Sequence, residues 1–311
     1  MKKAVIALGG NAISSTGKED IHGQFANTRK SLEGIMELIK AEYRIAMTHG
    51  NGPQVGNALL RVERTMRSIP PLPLGVIVAD TEGGMGYMIE QSLQNKLMAL
   101  GIRRDVVTIV TQVIVDPDDP SIVNPSKYIG PFYTKKQAET LAKAFGWVIK
   151  EDSGRGYRRI VPSPVPKRIV NRKTIQTLVD LGTIVIAAGG GGIPVYIEND
   201  GSYEGVDAVI DKDRASAVLA HDIDAHTLIF LTDVDCVYLN FNQKNQQALT
   251  RLTVAEARKY MAEGQFPAGN MGPKVEAAIS FLQAGGQQVV ITSLGKAQQA
   301  ILGDAGTRIL R

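Results

Sequence analysis

Short apolar runs rich in β-branched residues, each followed by a stretch of helical periodicity, recur along this chain. The runs are Val5–Leu8, Arg44–Thr48, Val106–Val115, Thr183–Ala188, Thr227–Thr232 and Gln288–Thr292. Helix-period stretches alternate with them at Gln24–Ala41, Gly84–Leu100, Asn171–Leu181, Asp213–Ala220, Thr253–Glu263 and Lys274–Ala284. Strands that are apolar on both faces cannot border water, so this alternation predicts an α/β fold with a mainly parallel sheet covered by helices on both sides. In open sheets of that kind, ligands sit beyond the carboxyl ends of the strands. Two such ends are conspicuous, "AVIALGGNAI" at Ala4–Ile13 and "MTHGNGPQVGNALL" at Met47–Leu60. Each starts as a strand, breaks at glycine, passes an asparagine and runs toward a helix.

Several classes of function are disfavoured by composition. A chain of 311 residues with 44% hydrophobic and 21% charged residues is an ordinary globular mix, long enough for one large α/β unit or two modest domains. The net charge of +4 suits anionic ligands, but without a basic run it predicts no nucleic acid partner. One cysteine, Cys236, excludes an internal disulfide and any multi-cysteine metal site, and points to a reducing compartment. With no histidine near it in sequence, Cys236 reads as a small buried residue rather than a nucleophile. The opening "MKKAVIALGG" ends its apolar run in glycines without a cleavage site, and no stretch reaches the roughly 18 apolar residues of a membrane span. The expectation is a cytoplasmic protein without a membrane partner.

Residues 116–167 break the alternation. They are dense in proline and glycine and hold the single tryptophan, Trp147. They read as an inserted subdomain with a short helix near Lys135–Phe145 and a hairpin around "EDSGRGYRRIV". The Pro and Gly content predicts few regular ladders, weak attachment to the core, and a lid.

Chemistry gathers at glycine loops and lysines. Four loops, Leu8–Ala12, His49–Gly56, Glu82–Gly86 and Ala187–Pro194, read as strand ends whose backbone N–H groups could cradle an anion. Asp211, Lys212 and Asp213 fall between an expected strand and a helix, and Lys274 falls in the first turn of another helix, where it opposes the macrodipole unless an anion balances it. Lys127 lies inside the insertion. The segment "LTDVDCVYL" leaves a strand at Thr232 and Asp233 and turns apolar at Val237 and Tyr238, a setting that suits a nucleobase. His49 stands beside a glycine loop, and none of the four histidines has metal-ligand spacing.

The blocks "ALGGNAI", "THGNGPQVG", "NPSKYIGPFY", "AAGGGGIPV", "GVDAVIDKD", "TDVDCVY" and "GNMGPKVEAA" together resemble the amino acid kinase superfamily and, within it, the carbamate kinases. They run from Leu8 to Ala278, so the resemblance spans essentially the whole chain. It implies an open three-layer αβα sandwich in two lobes: residues 1–209 for the phosphoryl acceptor, carrying a protruding subdomain at 116–167, and residues 210–311 for ATP or ADP. It also implies a homodimer, and the reaction ATP plus carbamate giving ADP plus carbamoyl phosphate, commonly run toward ATP. Magnesium would come mainly through the nucleotide phosphates, with no dedicated protein metal site.

Carried over residue by residue, the resemblance places Gly9, Gly10 and Asn11 on the transferred phosphoryl group. Gly50 and Asn51 would flank the acceptor, and Gly190 and Gly191 would close its pocket. Lys127 would reach in from the subdomain, substituting for the first-loop lysine that many family kinases carry and "ALGGNA" lacks. Lys212 and Lys274 would bridge ATP phosphates, with Asp213 positioning them. Asp211, Thr232, Asp233, Val237, Tyr238, Met271 and Gly272 would serve the nucleotide. A larger acid would need more room in the wall formed by Gly50–Gly56 and Thr81–Gly86, which distinguishes a related acid kinase. A non-catalytic nucleotide or metabolite sensor would have no need of three lysines.

Overall fold

The structure is a computed structural model that describes residues 2–10, 13, 19–152, 154–267 and 270–311. Its centre is an eight-stranded sheet in the order Arg251–Thr253, Thr307–Leu310, Gln288–Ser293, Thr227–Thr232, Lys3–Leu8, Arg44–His49, Ile184–Ile186, Val106–Thr108. Six neighbouring strands are parallel, and the Thr307–Leu310 strand runs against Gln288–Ser293. Lys3–Leu8 shows why the sheet must be covered twice. Val5 and Ala7 enter one apolar cluster, Ile6 and Leu8 the other, and all four are 0% exposed. Helices Arg172–Leu181, Lys212–Asp222 and Met271–Gln283 cover the first face; Leu74–Ala99 and Met36–Lys40 cover the second. No helix among the described residues is long and apolar enough to cross a membrane.

Register positions the site. Leu8 pairs with both His49 and Leu231, so three strands end at one level. Glycines 9, 10 and 50 and the Thr232–Asp233 pair therefore emerge along one edge of the sheet.

Several sequence expectations need correction. The "EGGMG" segment is not a strand-end loop; it lies inside the 26-residue helix Leu74–Ala99. Its glycines serve packing: a Cβ on Gly86 would lie 2.2 Å from the Thr108 side chain, so the helix can approach the sheet there only without one. The run Val106–Val115 is two strands in two sheets, Val106–Thr108 and Gln112–Ile114. The chain turns between them where Thr111 Oγ1 donates to the Ile109 carbonyl at 2.6 Å. Gln24–Ala41 breaks into Ile21–Ser31, a 3₁₀ turn at Glu33–Ile35, and Met36–Lys40. The chain does not reach Asp211 directly from a strand: after the short strand Tyr203–Gly205, residues 206–210 are irregular, with Ala208–Ile210 buried.

The insertion is more regular than its composition suggests. Lys127–Tyr133, Tyr157–Val161 and Ile149–Glu151 form an antiparallel sheet, and the helix Lys135–Phe145 starts with a Thr134–Gln137 capping box. It is also firmly attached. A Cβ on Gly56 would lie 2.0 Å from Gly130 Cα, so strand and helix Gly52–Thr65 meet backbone to backbone. Glu63 of that helix accepts from Trp147 Nε1 at 2.7 Å and pairs with Arg159.

Candidate functional site

The two glycine breaks of the opening strands meet. Gly9 N–H donates to Leu231 O at 2.9 Å, and Gly50 N–H donates to Leu8 O at 3.1 Å, which holds the loops side by side. A Cβ on Gly50 would fall 2.9 Å from Gly10 N and 3.3 Å from Lys212 Cδ, so only glycine allows this approach. Asn11 lies outside the described residues.

Asp211 is the N-cap of helix Lys212–Asp222, accepting from the N–H groups of Asp213 at 2.9 Å and Arg214 at 3.3 Å. Its other oxygen takes the Lys127 ammonium, which arrives from the insertion. Burial works to raise the Asp211 carboxyl, but Lys127, with help from Lys212 and Lys274, outweighs it and holds the group well below the usual carboxylate range. The next carboxylate, Asp213, is 4% exposed and grips two lysines. One oxygen pairs with Lys212; the other lies 3.1 Å from Lys274 Nζ, which also donates to Asn270 O at 3.2 Å. Burial pushes the Lys212 amine down, Asp213 opposing and Lys274 assisting. Burial alone would depress Lys274 too, yet Asp213 raises it above the ordinary lysine value. Three ammonium groups thus pair with two carboxylates here, and a third carboxylate, Asp233, acts on Lys274 from the rim.

A cavity of about 150 Å³ opens there, lined by Gly9, Gly10, Lys212, Thr232, Asp233 and Lys274 among others. Thr232 Oγ1 donates to Asp233 at 2.9 Å. An apolar pocket continues from it, formed by Val234, Tyr238, Phe241, Phe266, Pro267 and Met271 with polar Gln265 and Asn270. Met271 and Tyr238 face this pocket. Val237 does not: it is fully buried, its N–H held by Thr307 Oγ1 at 2.7 Å. Gly272 contributes close packing, since a Cβ there would lie 3.0 Å from Pro267 O. Phe241, Gln265 and Phe266 escape a sequence reading because they come from separate irregular segments without motif character.

Across the glycine edge stands a second wall. Asn51 Nδ2 donates to Thr81 Oγ1 at 3.0 Å, which unites the two stretches expected to bound the acceptor. The arc Gly189–Gly191 packs on it: a Cβ on Gly190, at φ +66°, would lie 2.1 Å from Asn51 Nδ2. His49 is buried behind the arc with 0% exposure, and burial lowers its ring to about 4, so it stands neutral and away from any ligand. Glu82, absent from the sequence-derived set, is buried beside it. Burial raises its carboxyl to about 8. Cys236 is half-buried and outside these pockets.

A cavity lined by two glycines and two lysines thus opens beside an apolar pocket, with the Asn51–Gly190 contact across the glycine edge. A sequence profile of the amino acid kinase family matches residues 2–293. This chain belongs to the amino acid kinase family. Among its relatives, the carbamate kinase of Pyrococcus furiosus is 48% identical over 312 residues, covering 99% of each chain. Carbamate kinase 2 of Staphylococcus epidermidis is likewise 48% identical over 312 residues and 99% of each chain. The solved carbamate kinase of Giardia lamblia bound to citric acid superposes with a TM-score of 0.94 at 42% identity, covering 99% of this chain and 98% of that one. The same enzyme bound to AMP-PNP gives a TM-score of 0.90. This amino acid kinase therefore shares its whole length, not a module, with those enzymes.

Proposed function

We propose that this amino acid kinase is a carbamate kinase, catalysing reversible phosphoryl transfer between ATP and carbamate and used to make ATP from carbamoyl phosphate. The observation that carries the reading is Asp213 holding Lys212 and Lys274 together beside the Gly10–Gly50 contact. In the forward direction a carboxylate oxygen of carbamate attacks the γ-phosphorus, a new P–O bond forms, and the bond to the bridging oxygen of ADP breaks. The acceptor is already an anionic nucleophile, so no general base is required. The obstacle is repulsion between it and a nucleotide carrying about four negative charges, which makes positioning and charge cancellation the main catalytic devices.

Each assigned residue follows from that need. Lys212 and Lys274 neutralise charge on the oxygens around the phosphorus in flight, and Asp213 keeps both aimed into the cavity. Gly10 is assigned to present its backbone N–H to the phosphoryl group, Gly9 turns the chain at the strand end with its own N–H held by Leu231 O, and Asn11 is assigned beside them by sequence. Gly50, Asn51, Gly190 and Gly191 form the acceptor wall. Lys127 pairs with Asp211 and lines a neighbouring cavity with Arg155, Arg158 and Arg214, and its assigned role is to reach the acceptor from there. Thr232, Asp233, Tyr238, Met271 and Gly272 border the nucleotide. Residues 1–209 then act as the acceptor lobe and 210–311 as the nucleotide lobe. Magnesium would add charge neutralisation on the nucleotide. The assigned homodimer would find apolar surface at Val76 and Tyr87, 44% and 56% exposed on helix Leu74–Ala99, and at Ile69, 60% exposed in the loop before it.

The test is ATP formation from ADP and carbamoyl phosphate, run beside ATP with acetylglutamate and with aspartate. Turnover with carbamoyl phosphate alone supports the reading; turnover only with another acid overturns it.

A further inference from the structure

Two adjacent residues of helix Leu74–Ala99 hold the opposite walls of the small pocket. Thr81 Oγ1 accepts from Asn51 Nδ2 at 3.0 Å. Its neighbour Glu82, 1% exposed, accepts from Gly189 N–H with Oε1 at 2.9 Å and from Thr111 N–H with Oε2 at 3.1 Å. Thr111 in turn uses Oγ1 to accept from Ala188 N–H at 3.0 Å. These bonds fix a segment that resists its own geometry. Ala188 sits at φ +50°, a region costly for a residue with a Cβ, and Gly190, Gly191 and Gly192 follow at +66°, +105° and +81°. The arc presses so close to its neighbours that a Cβ on Gly189 would lie 2.2 Å from His49 Nε2 and 3.0 Å from Glu82 Cγ.

A buried carboxyl without a cation partner is costly to keep, and the phosphoryl chemistry makes no use of one. Burial raises Glu82 to about 8 and lowers its neighbour His49 to about 4, so the pair adds no strong charge to the pocket floor near neutral pH.

We propose that Glu82 is a positioning residue of the phosphoryl-acceptor pocket: its carboxyl bridges Gly189 and Thr111 and, with Thr81 on Asn51, sets the gap between the two walls. The inference rests on the carbamate kinase reading and deepens it by naming the side chains that hold the two walls in place. The nucleotide pocket lies outside this clamp. Disturbing it changes the fit of the small acid and leaves ADP alone.

The experiment compares wild type with Glu82→Gln and Thr111→Val. The amide is nearly isosteric but presents N–H₂ to one of the two backbone donors. Valine removes the acceptor for Ala188 N–H. Glu82→Gln loses one buried hydrogen bond and Thr111→Val two, the one from Ala188 N–H and the one to the Ile109 carbonyl, so the KM for carbamoyl phosphate rises about tenfold or more while the KM for ADP stays within about twofold. In parallel, hydrogen exchange is followed in peptides spanning residues 183–195; it accelerates in Glu82→Gln whatever the substrate of the enzyme turns out to be. A carbamoyl phosphate KM within about twofold of wild type in both variants, or equal shifts in both KM values, overturns the proposal. So does unchanged exchange. Wild-type protein that is inactive with carbamoyl phosphate while exchange still accelerates refutes the acceptor assignment and keeps the clamp on the arc. Should Glu82→Gln fail to fold, Thr111→Val carries the same KM comparison.

Discussion

Replacing Asp213 with asparagine keeps the shape of the site and removes the charge between two lysines. Asp213 Oδ2 lies 3.1 Å from Lys274 Nζ and the other oxygen binds Lys212, and the three side chains are 6%, 8% and 12% exposed. Both ammonium groups are thus held on one carboxylate, and two like charges roughly 4–5 Å apart set the scale of what it offsets. At an effective dielectric of about 20 their repulsion is on the order of 3–4 kcal/mol, no longer offset in the variant. Breaking a buried pair on one side typically costs about 3–5 kcal/mol. At roughly 2 °C per kcal/mol for a chain of this size, the ligand-free melting temperature should fall about 6–10 °C. ADP brings negative phosphates to the same lysines, so the stabilisation gained on adding ADP should be larger in Asp213→Asn than in wild type. Turnover should fall about 10²-fold or more, because the lysines are no longer aimed. The assays are differential scanning fluorimetry with and without ADP, and steady-state ATP formation from carbamoyl phosphate. A variant that melts within about 1 °C of wild type and turns over within threefold would refute the reasoning.

Lys212→Ala and Lys274→Ala should each lower kcat about 10²–10³-fold while weakening ADP binding far less, as read by kinetics beside calorimetric titration. Lys127→Ala should sharply reduce turnover with carbamoyl phosphate and spare ADP affinity, and Lys127→Arg should rescue it only in part, since a planar fork is not a compact charge; near-normal turnover in the alanine variant would remove Lys127 from the mechanism. Gly190→Ala should raise the carbamoyl phosphate KM and lower the melting temperature, because its Cβ would lie 2.1 Å from Asn51 Nδ2 at a backbone φ of +66°. Stability should depend on pH through Glu82. Its folded value near 8 exceeds the unfolded 4.5, so between these limits the native chain holds a proton that the unfolded chain has lost, and stability falls as pH rises through that window. His49, lowered from 6.5 to about 4, works the opposite way below pH 6.5. From pH 6.5 to 8 the stability difference between wild type and Glu82→Gln should therefore shift by roughly 2 kcal/mol, read by denaturant unfolding; parallel curves would contradict the buried, titrating carboxyl.

The central sheet was legible because strands buried on both faces leave no polar alternation. Val5–Leu8 and Thr227–Thr232 announce themselves by β-branched apolar runs and then stop at glycine or at Thr-Asp. The sheet edge with Gly9, Gly50, Lys212 and Lys274 was legible for the same reason: glycine breaks and lysines in helix first turns are local signals. Glu82 was not legible, because it sits among glycines inside a long helix and its partners, Thr111 and Gly189, are 29 and 107 residues away. Phe241 and Phe266 look like any loop aromatics until the fold brings them beside Tyr238. The insertion was misjudged as loosely attached. Composition reports prolines and glycines, but not that Trp147 and Arg159 both find Glu63 across the helix Gly52–Thr65.

The claim at the centre of this account is that Lys212 and Lys274 act on charge in the transition state more than on bound nucleotide. The most direct measurement is the affinity of ADP with aluminium fluoride and magnesium, a mimic of the phosphoryl group in flight, against ADP with magnesium alone, in wild type and Lys274→Ala. The account predicts that the variant loses about 100-fold in affinity for the mimic and less than about threefold for ADP. Equal losses for both ligands would contradict it.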